Sequence, residues 1–331
     1  ASILLRARCA TSRASARSTA RDWPVWSWLS ISGCAAARVN PVTGVVFEPG
    51  STFKAITASA LLEERLVDVE EEIFCHNGAC AFGRRILHDH RGHGVLPFRM
   101  VIAKSSNIGT ARCAERLSPE RHHHYLDAFG FGARTGIETP GEEAGVLRPV
   151  ERWSKYSQVS LAIGQEVGVT ALQMVRAFAA IANGGYLVRP YLVERIDSPD
   201  GAVVFETRPR RRRVISTETS RTMREILSLV VEEGTARRAR SRYYQIAGKT
   251  GTAQKLDRAT GRYSDENYIA SFIGFAPADA PRLVVGVFVD TPRGRTHFGG
   301  TVAAPVVKRI MEQALMYLEV PQFEEESDES P

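Results

Sequence analysis

The clearest helical pattern in the chain begins directly after two residues that break helices. Pro49 and Gly50 precede the helix-forming run 55–64, so a helix is expected to start close to residue 51. Two further helices are predicted where a capping side chain precedes an apolar period of three to four, with Thr170 opening one and Ser216 the other. Their apolar faces consist of Met174, Val175, Phe178, Ile181 and Ala182, and of Met223, Ile226, Leu227 and Val230.

Strand-like residues dominate the last third of the chain. They occupy 243–247, 268–275 and 283–290, and a closing helix is predicted at about 303–318. Consecutive strands joined by short turns favour an antiparallel sheet. The predicted fold class is therefore α+β, with an antiparallel sheet flanked by helices and a mostly helical subdomain that forms the other wall of a cleft.

Residues 1–37 differ from the remainder in composition. They contain no Glu and no Lys, hold three of the four tryptophans, and keep no period of 2 or 3.6. A signal peptide, a disordered arm and a segment read out of frame are three interpretations; the missing initial Met and the Arg/Ala/Ser/Trp-rich composition favour the third. The expected division is an atypical segment at 1–37, a main domain at 38–320 and an acidic disordered tail at 321–331.

Hydrophobicity and charge argue against a membrane-spanning segment in this sequence and against a nucleic-acid site. With 331 residues, 44% of them hydrophobic, the chain can bury a large core. No stretch approaches the roughly 20 apolar residues that span a bilayer. The net charge of +6 comes largely from the Arg-rich run 208–213, which lacks interleaved aromatic residues. A solvated loop explains that run better than a nucleic-acid site, so no nucleic-acid partner is expected.

The five cysteines, at positions 9, 34, 75, 80 and 113, do not form a disulfide framework for a chain of this size. A Cys75–Cys80 disulfide is feasible in an oxidising compartment, and a metal site with nearby histidines is conceivable. A polar surface loop is the favoured interpretation of this segment, and no metal site is predicted. The run His122-His123-His124 is likewise interpreted as exposed.

Ser51 and Lys54 form the first candidate for chemistry. The start of a helix presents unpaired N–H groups and a positive dipole end to any oxyanion that forms there. Lys54 lies one turn later on the same face. Its amine can take the serine proton only when neutral, so its pKa must lie well below the free value of about 10.4. A Ser-x-x-Lys pair alone is a weak signal.

Two further strings raise its specificity. Ser105 and Asn107 give a Ser-x-Asn, and Lys249, Thr250 and Gly251 give a Lys-Thr-Gly followed by Thr252. These three elements occur together, and in this order, in penicillin-binding proteins and serine β-lactamases. Gly248 and Gly251 are expected to leave space for a substrate backbone.

Residues from about 39 to 320 resemble the transpeptidase domain of class B penicillin-binding proteins, the monofunctional enzymes that cross-link peptidoglycan. The Ser-Ser-Asn form of the second motif favours the division-type branch. The segments that carry the resemblance are FEPGSTFK (47–54), AKSSNIG (103–109), AIGQEVGVTALQ (162–173), IANGGY (181–186), IAGKTGTAQK (246–255) and GGTVAAPV (299–306). Members of the family place two sheet strands just before the nucleophile, and no pattern in residues 1–37 reveals them. This resemblance therefore implies an N-terminally truncated chain whose membrane anchor and pedestal domain are missing.

The resemblance also implies a role for each site residue. Ser51 is the expected nucleophile on the D-Ala-D-Ala bond of a stem peptide, Lys54 its base, and Ser105 the relay that protonates the leaving amine. Asn107 holds the substrate amide. Lys249 keeps Lys54 neutral and attracts the terminal carboxylate, which Thr250 and Thr252 hydrogen-bond. The backbone N–H groups of Ser51 and Thr252 form the oxyanion hole, and no cofactor is required.

The same groups suit a D,D-transpeptidase and three alternatives to it. A D,D-transpeptidase passes the acyl group to an amine of a second stem peptide, whereas a D,D-carboxypeptidase or a β-lactamase passes it to water. The Glu-x-x-Leu-Asn string of class A β-lactamases is absent from the sequence. An acylated sensor without turnover, or an inactive fragment, is the third alternative. The expected partners are peptidoglycan stem peptides, β-lactams as covalent inhibitors and other cell-wall synthesis proteins, at the periplasmic face of the inner membrane.

Overall fold

The computed structural model describes residues 2–8, 25–30, 41–257, 261–294 and 296–323. Expectations for the rest of 1–37 and for the tail after residue 323 lie outside these ranges. The strands are β1 (Ser2–Arg8), β2 (Val25–Ser30), β3 (Glu72–Phe74), β4 (Ala79–Phe82), β5 (Arg85–His88), β6 (Val95–Pro97), β7 (Tyr186–Val188), β8 (Arg195–Asp197), β9 (Val203–Glu206), β10 (Arg211–Arg213), β11 (Ala247–Asp257), β12 (Arg262–Ala276) and β13 (Leu283–Asp290). The helices are α1 (Lys54–Glu63), α2 (Phe98–Lys104), α3 (Asn107–Ala114), α4 (Pro119–Ala128), α5 (Ser157–Ala162), α6 (Ala171–Ala182), α7 (Thr217–Glu232), α8 (Gly299–Val302) and α9 (Ala304–Tyr317).

A five-stranded antiparallel sheet in the order β11-β12-β13-β1-β2 is the centre of the fold. β13 has the predicted bounds, but β11 begins at Ala247, where the predicted strand ended. Tyr244 and Ile246, just before it, are buried core residues, so their apolar character reflects packing rather than strand pairing. The Lys249-Thr250-Gly251 string therefore lies inside β11, not at the end of a preceding strand.

The N-terminal segment differs from expectation. The structure places β1 and β2 at the far edge of the sheet, with Leu4 opposite both Val285 of β13 and Leu29 of β2. The expectation that two sheet strands are missing from residues 1–37 is thus wrong for this structure. Each strand is six or seven residues long and is surrounded by Arg, Ala and Ser, which is too short a run to establish a period by itself. The predicted domain boundary at residue 38 stays a prediction.

Helices cover this sheet, which confirms the α+β class. α6 and α9 both pack on β12 and β13, and α7 packs on β11. Thr170 caps α6 in a reciprocal capping box with Gln173, and Ser216 caps α7, as the sequence predicts. α1 is buried from Lys54 to Leu61 and contacts α2, α3, α4, α6 and α7. Within the described ranges, no helix has the length and apolarity to cross a bilayer.

One surface interpretation is wrong, and another is wrong for one residue. The segment between α1 and α2 forms two hairpin-like pairs, β3 with β6 and β4 with β5. Cys75 and Cys80 are buried free thiols in separate apolar clusters, rather than part of a polar surface loop. On α4, His122 is fully buried while His124 is exposed. Burial in such short segments cannot be predicted from periodicity, because neither a period of 2 residues nor one of 3.6 residues extends through them.

Candidate active site

The predicted nucleophile lies on a tight turn that runs directly into α1. Residues Gly50–Phe53 form a 3-10 turn, and Lys54 is the first residue of the α-helix. The turn is fixed by two hydrogen bonds, from Gly50 N to Gly164 O (3.0 Å) and from Thr52 Oγ1 to Pro49 O (2.9 Å). Ser51 is partly exposed and lines a cleft between the helices and β11. Its position at a helix start matches the prediction.

Lys54 is fully buried behind this turn. Its Nζ donates to Ser105 O at 2.6 Å and to Asn107 Oδ1 at 2.7 Å, and lies 3.3 Å from Ser105 Oγ. The two short bonds need only the two hydrogens of a neutral amine. Burial lowers the pKa of Lys54 to about 7, against the opposing charge of the Asp89 carboxylate.

Lys249 approaches the same hydroxyl from the sheet. Its Nζ donates to Ser105 Oγ at 2.8 Å and lies 3.4 Å from Thr250 O. Ser105 Oγ therefore lies between the two buried lysines. Burial, followed by the charge of Lys54, holds the pKa of Lys249 well below its ordinary value. The main cause of the low pKa of Lys54 is burial, rather than the charge of Lys249 expected from the resemblance.

The second motif is the turn between α2 and α3. Ser105 ends α2 in the left-handed region, with φ of 64°, a conformation that non-glycine residues rarely adopt. Ser106 caps α3 by accepting from Gly109 N at 2.9 Å. Asn107, the first residue of α3, donates from Nδ2 to His88 O at 2.8 Å. The left-handed turn directs Ser105 and Asn107 towards Lys54, while the residue between them holds the helix.

The third motif runs along β11, at the opposite side of the cleft. Thr250 and Thr252 both line the cleft. Thr250 Oγ1 is 2.6 Å from Thr235 Oγ1, and Thr252 Oγ1 accepts from Gly299 N at 3.2 Å. An acceptor role for Thr252 leaves its own proton for a ligand.

Gly251 has a role other than the one expected. A Cβ at this position would lie 2.4 Å from Ser271 Oγ, 2.9 Å from Thr52 Cγ2 and 3.0 Å from Pro49 O. The missing side chain thus lets β11 pack directly against the turn that carries Ser51, instead of making space for a substrate. Gly248 likewise faces backbone atoms of β12, with Ile273 O at 2.4 Å from the added Cβ.

Sequence reasoning missed two residues that touch this site. Asp89 accepts hydrogen bonds from Ser106 and Asn107, and Thr235 contacts Thr250. Neither lies in a periodic segment or in one of the three strings, so only long-range contacts reveal them. Among the described residues, no cluster of His, Cys, Asp or Glu is arranged to hold a metal ion. The expected site residues nevertheless come together, with Ser51, Ser105, Asn107, Thr250 and Thr252 around one cleft and both lysines beneath it.

A buried lysine behind a helix-start serine, a second serine between two lysines and a facing strand with two threonines define a serine acyltransferase type of site. The chain matches the family "Penicillin binding protein transpeptidase domain" over residues 12–312. It therefore belongs to this family.

Two curated relatives show which class of penicillin-binding protein this chain resembles. The chain is 44% identical over 304 residues to stage V sporulation protein D of Bacillus subtilis, covering 91% of this chain and 44% of that protein. It is 40% identical over 281 residues to the penicillin-binding protein PbpB of Mycobacterium tuberculosis, covering 82% of this chain and 41% of that protein. The resemblance to class B penicillin-binding proteins is confirmed. The chain spans less than half the length of these two curated relatives.

Two solved structures of penicillin-binding proteins have the same fold as this chain. The crystal structure of penicillin-binding protein 3 of M. tuberculosis, complexed with aztreonam, superposes with a TM-score of 0.83 at 34% identity and covers 98% of this chain and 74% of that one. The apo transpeptidase domain of Burkholderia pseudomallei penicillin-binding protein 3 gives a TM-score of 0.80 at 30% identity, covering 97% and 88%.

Proposed function

We propose that this chain is the catalytic part of a peptidoglycan D,D-transpeptidase that works through an acyl-serine intermediate and is inhibited by β-lactams. The observation that carries the proposal is Ser105 Oγ, which lies 2.8 Å from Lys249 Nζ and 3.3 Å from Lys54 Nζ. Held by Lys249, this hydroxyl can pass a proton between Lys54 and the leaving amine. Such a relay is needed when one group must first accept and then return a proton.

The first half of the reaction forms the acyl-enzyme. Ser51 Oγ attacks the carbonyl carbon of the penultimate D-Ala, and Lys54, neutral above about pH 7, receives the serine proton. The C–N bond of the tetrahedral intermediate then breaks. The terminal D-Ala leaves as an amine and takes a proton through Ser105, so that no net proton is gained or lost.

The second half transfers the acyl group. An amine of a second stem peptide attacks the ester carbonyl and loses its proton through Ser105. The bond between the carbonyl carbon and Ser51 Oγ then breaks, and this oxygen takes up a proton again. Asn107 and the backbone of β11 hold the donor peptide in the first half, when Lys249 attracts its terminal carboxylate and Thr250 and Thr252 hydrogen-bond it. A carboxylate beside Lys249 favours the charged form of that lysine, so substrate binding stabilises the positive charge that binds it.

The resemblance also supports a location and partners. We place the activity outside the cytoplasm, at the periplasmic face of the inner membrane, where peptidoglycan is built. The division-type role and contacts with other cell-wall synthesis proteins belong to the same proposal. They rest on the Ser-Ser-Asn form of the second motif and on the resemblance.

The acylated residue can be tested directly. The protein is incubated with a fluorescent penicillin, and the labelled peptide is mapped by mass spectrometry. Ser51→Ala should lose all label, because the nucleophilic oxygen is gone. Ser59→Ala, on the same helix with its hydroxyl bonded to Ala55 O, is the matched control and should keep it. Label that survives Ser51→Ala would contradict the assignment.

The fate of the acyl group distinguishes a transpeptidase from a carboxypeptidase and from a sensor without turnover. A D-Ala-D-Ala peptide is supplied with and without an acceptor amine, and the products are followed by mass spectrometry. A transpeptidase gives the cross-linked peptide when the amine is present. Release of the shortened acid at the same rate in both mixtures would instead indicate a carboxypeptidase. Stable label without turnover would indicate a sensor.

A further inference from the structure

Asp89, directly after β5, binds the start of α3 through its side chain. Its Oδ2 accepts from Ser106 Oγ at 2.6 Å, and its Oδ1 accepts from Asn107 N at 2.5 Å and Ile108 N at 3.0 Å. The first N–H groups of a helix have no partner within the helix. Asp89 supplies two of these partners and holds the capping serine as well. All three contacts are donated to the carboxylate, which is the pattern of its ionised form.

These bonds act on the same turn that Lys54 holds. Lys54 Nζ holds Ser105 O and Asn107 Oδ1, while Asp89 holds the Asn107 N–H and its neighbour His88 accepts from Asn107 Nδ2. Asn107 is therefore fixed at its backbone and at both atoms of its amide. Ser105, two residues earlier, stays in its left-handed conformation because the chain on either side cannot move.

Asp89 also supplies charge. Its carboxylate raises the pKa of Lys54 in opposition to burial, and Cys75 acts in the same direction. Lys249 faces Lys54 from β11 across Ser105. The cleft is further lined by four histidines, His88, His90, His93 and His297, and by the charged residues Arg91, Lys104, Glu233, Arg237 and Arg238. Asp89 is thus a carboxylate whose negative charge favours the protonated form of Lys54.

We propose that Asp89 is a positioning residue for acylation: its carboxylate holds the Ser105–Asn107 turn against Lys54 and provides a negative charge that acts on this lysine. This inference rests on the proposed function, since it concerns the rate at which Ser51 is acylated. The two parts of the role have separate consequences. Loss of the bonds loosens the turn and slows acylation at every pH, whereas loss of the charge changes the pH at which Lys54 becomes neutral.

The charge of Asp89 should shift the pH dependence of acylation in a definite direction. Lys54 acts as a base when neutral, so acylation should rise as pH increases through its pKa of about 7. Without the Asp89 charge the neutral amine is favoured at lower pH. The acid limb of the acylation rate should therefore move to lower pH in Asp89→Asn. A purely structural lesion lowers the rate without moving this limb.

The experiment measures the second-order rate constant for acylation by a fluorescent penicillin, per labelled active site, between about pH 5 and 9. Asp89→Asn should be slower by about tenfold or more at neutral pH and should have its acid limb at lower pH. The matched control is Glu142→Gln. Glu142 also accepts three bonds, from Thr135 N, Thr135 Oγ1 and Gly136 N, but lines a separate cavity. Its acid limb should coincide with that of the wild type.

An Asp89→Asn protein with the wild-type rate, or with an acid limb that is unmoved or shifted upwards, overturns the inference. If the wild type is not acylated at Ser51, the proposed function fails instead, and this is read from the wild type alone. Should Asp89→Asn fail to fold, Ser106→Ala provides the test. It removes one of the three bonds to Asp89, together with the bond from Gly109 N that caps α3, and keeps the charge, so acylation should slow while the limb stays in place. An unchanged rate in that variant overturns the positioning role.

Discussion

The two walls of the cleft hold their functional groups by different means. The helical wall consists of the turn and helix at Gly50–Glu63 together with the Ser105–Asn107 turn, and the strand wall consists of Lys249–Thr252 on β11. In the helical wall the position of Lys54 depends on residues far away in sequence, such as Asn107 at 2.7 Å. In the strand wall the backbone register fixes the course of the chain, with Lys249 opposite Ile273 of β12, and side-chain bonds from Lys249 to Ser105 and between Thr250 and Thr235 are added to it.

This difference has a consequence for robustness. A strand in a ladder keeps its course when one side chain is changed, because its neighbours fix the backbone. A series of side-chain bonds does not, since removal of one buried partner leaves the next without its hydrogen bond. Substitutions in the helical wall should therefore damage acylation broadly, and those in the strand wall should damage selected ligand contacts.

The largest expected effect comes from comparing the two buried lysines. Lys54→Met should reduce the acylation rate about 10³-fold or more, because the base is lost and Asn107 and Ser105 lose their anchor. Lys249→Met should mainly weaken binding of ligands that carry a carboxylate. The measurement is the acylation rate with a penicillin and with its methyl ester, which lacks the charge. Melting temperatures of both variants serve as the folding control.

Equal losses for the two variants, independent of the ligand's carboxylate, would contradict this division between the walls. A loss in Lys249→Met that is as large with the ester as with the free acid would place this lysine in the proton relay instead. The comparison is well matched because both side chains are fully buried and both contact Ser105 Oγ.

Sequence predicts the strand wall better than it predicts the helical wall. The Lys249-Thr250-Gly251 string directly follows the apolar run 243–247, whose pattern indicates a strand, although β11 begins only at Ala247. Ser51 and Lys54 were found for a similar reason, since helical spacing puts them on one face. Local pattern and local structure agree at these residues.

Asp89 and the left-handed Ser105 could not be predicted in this way. Asp89 acts on residues 17 to 19 positions away in sequence, and no period relates it to them. The conformation of Ser105 is imposed by the contacts on both sides of it rather than by its own preference. The same reasoning applies to β1 and β2, because β1 is a strand where β13 is available to pair with it, and β2 is a strand where β1 is.

Acid should act on the helical wall through His122. This buried residue of α4 packs edge-on against Trp153, and α4 contacts α1. Burial lowers the pKa of His122 from 6.5 to about 4. The unfolded chain thus binds the proton more readily, and stability present above pH 6.5 is lost as the pH falls towards 4. The expected loss in free energy of unfolding is about 3 kcal/mol.

Denaturant unfolding at a series of pH values measures this effect. His122→Phe should flatten the pH dependence between pH 6.5 and 4. His124→Phe, at an exposed position on the same helix, is the control and should leave the slope as in the wild type. A slope that persists unchanged in His122→Phe would mean that other groups cause the acid sensitivity.

The smallest expected effect belongs to Thr235 in front of the strand wall. Its hydroxyl lies 2.6 Å from Thr250 Oγ1, so it orients the hydroxyl that is proposed to bind the ligand carboxylate. Thr235→Val removes this bond but leaves β11 in its ladder. Because one such hydrogen bond contributes about 1 kcal/mol, acylation by the free-acid penicillin should fall about fivefold, with little change for the methyl ester. Thr235→Ser, which restores the hydroxyl, should recover the rate. If the valine variant lost as much activity as Lys54→Met, the strand wall would depend on side-chain bonds as much as the helical wall does, and the contrast between the two walls would be lost.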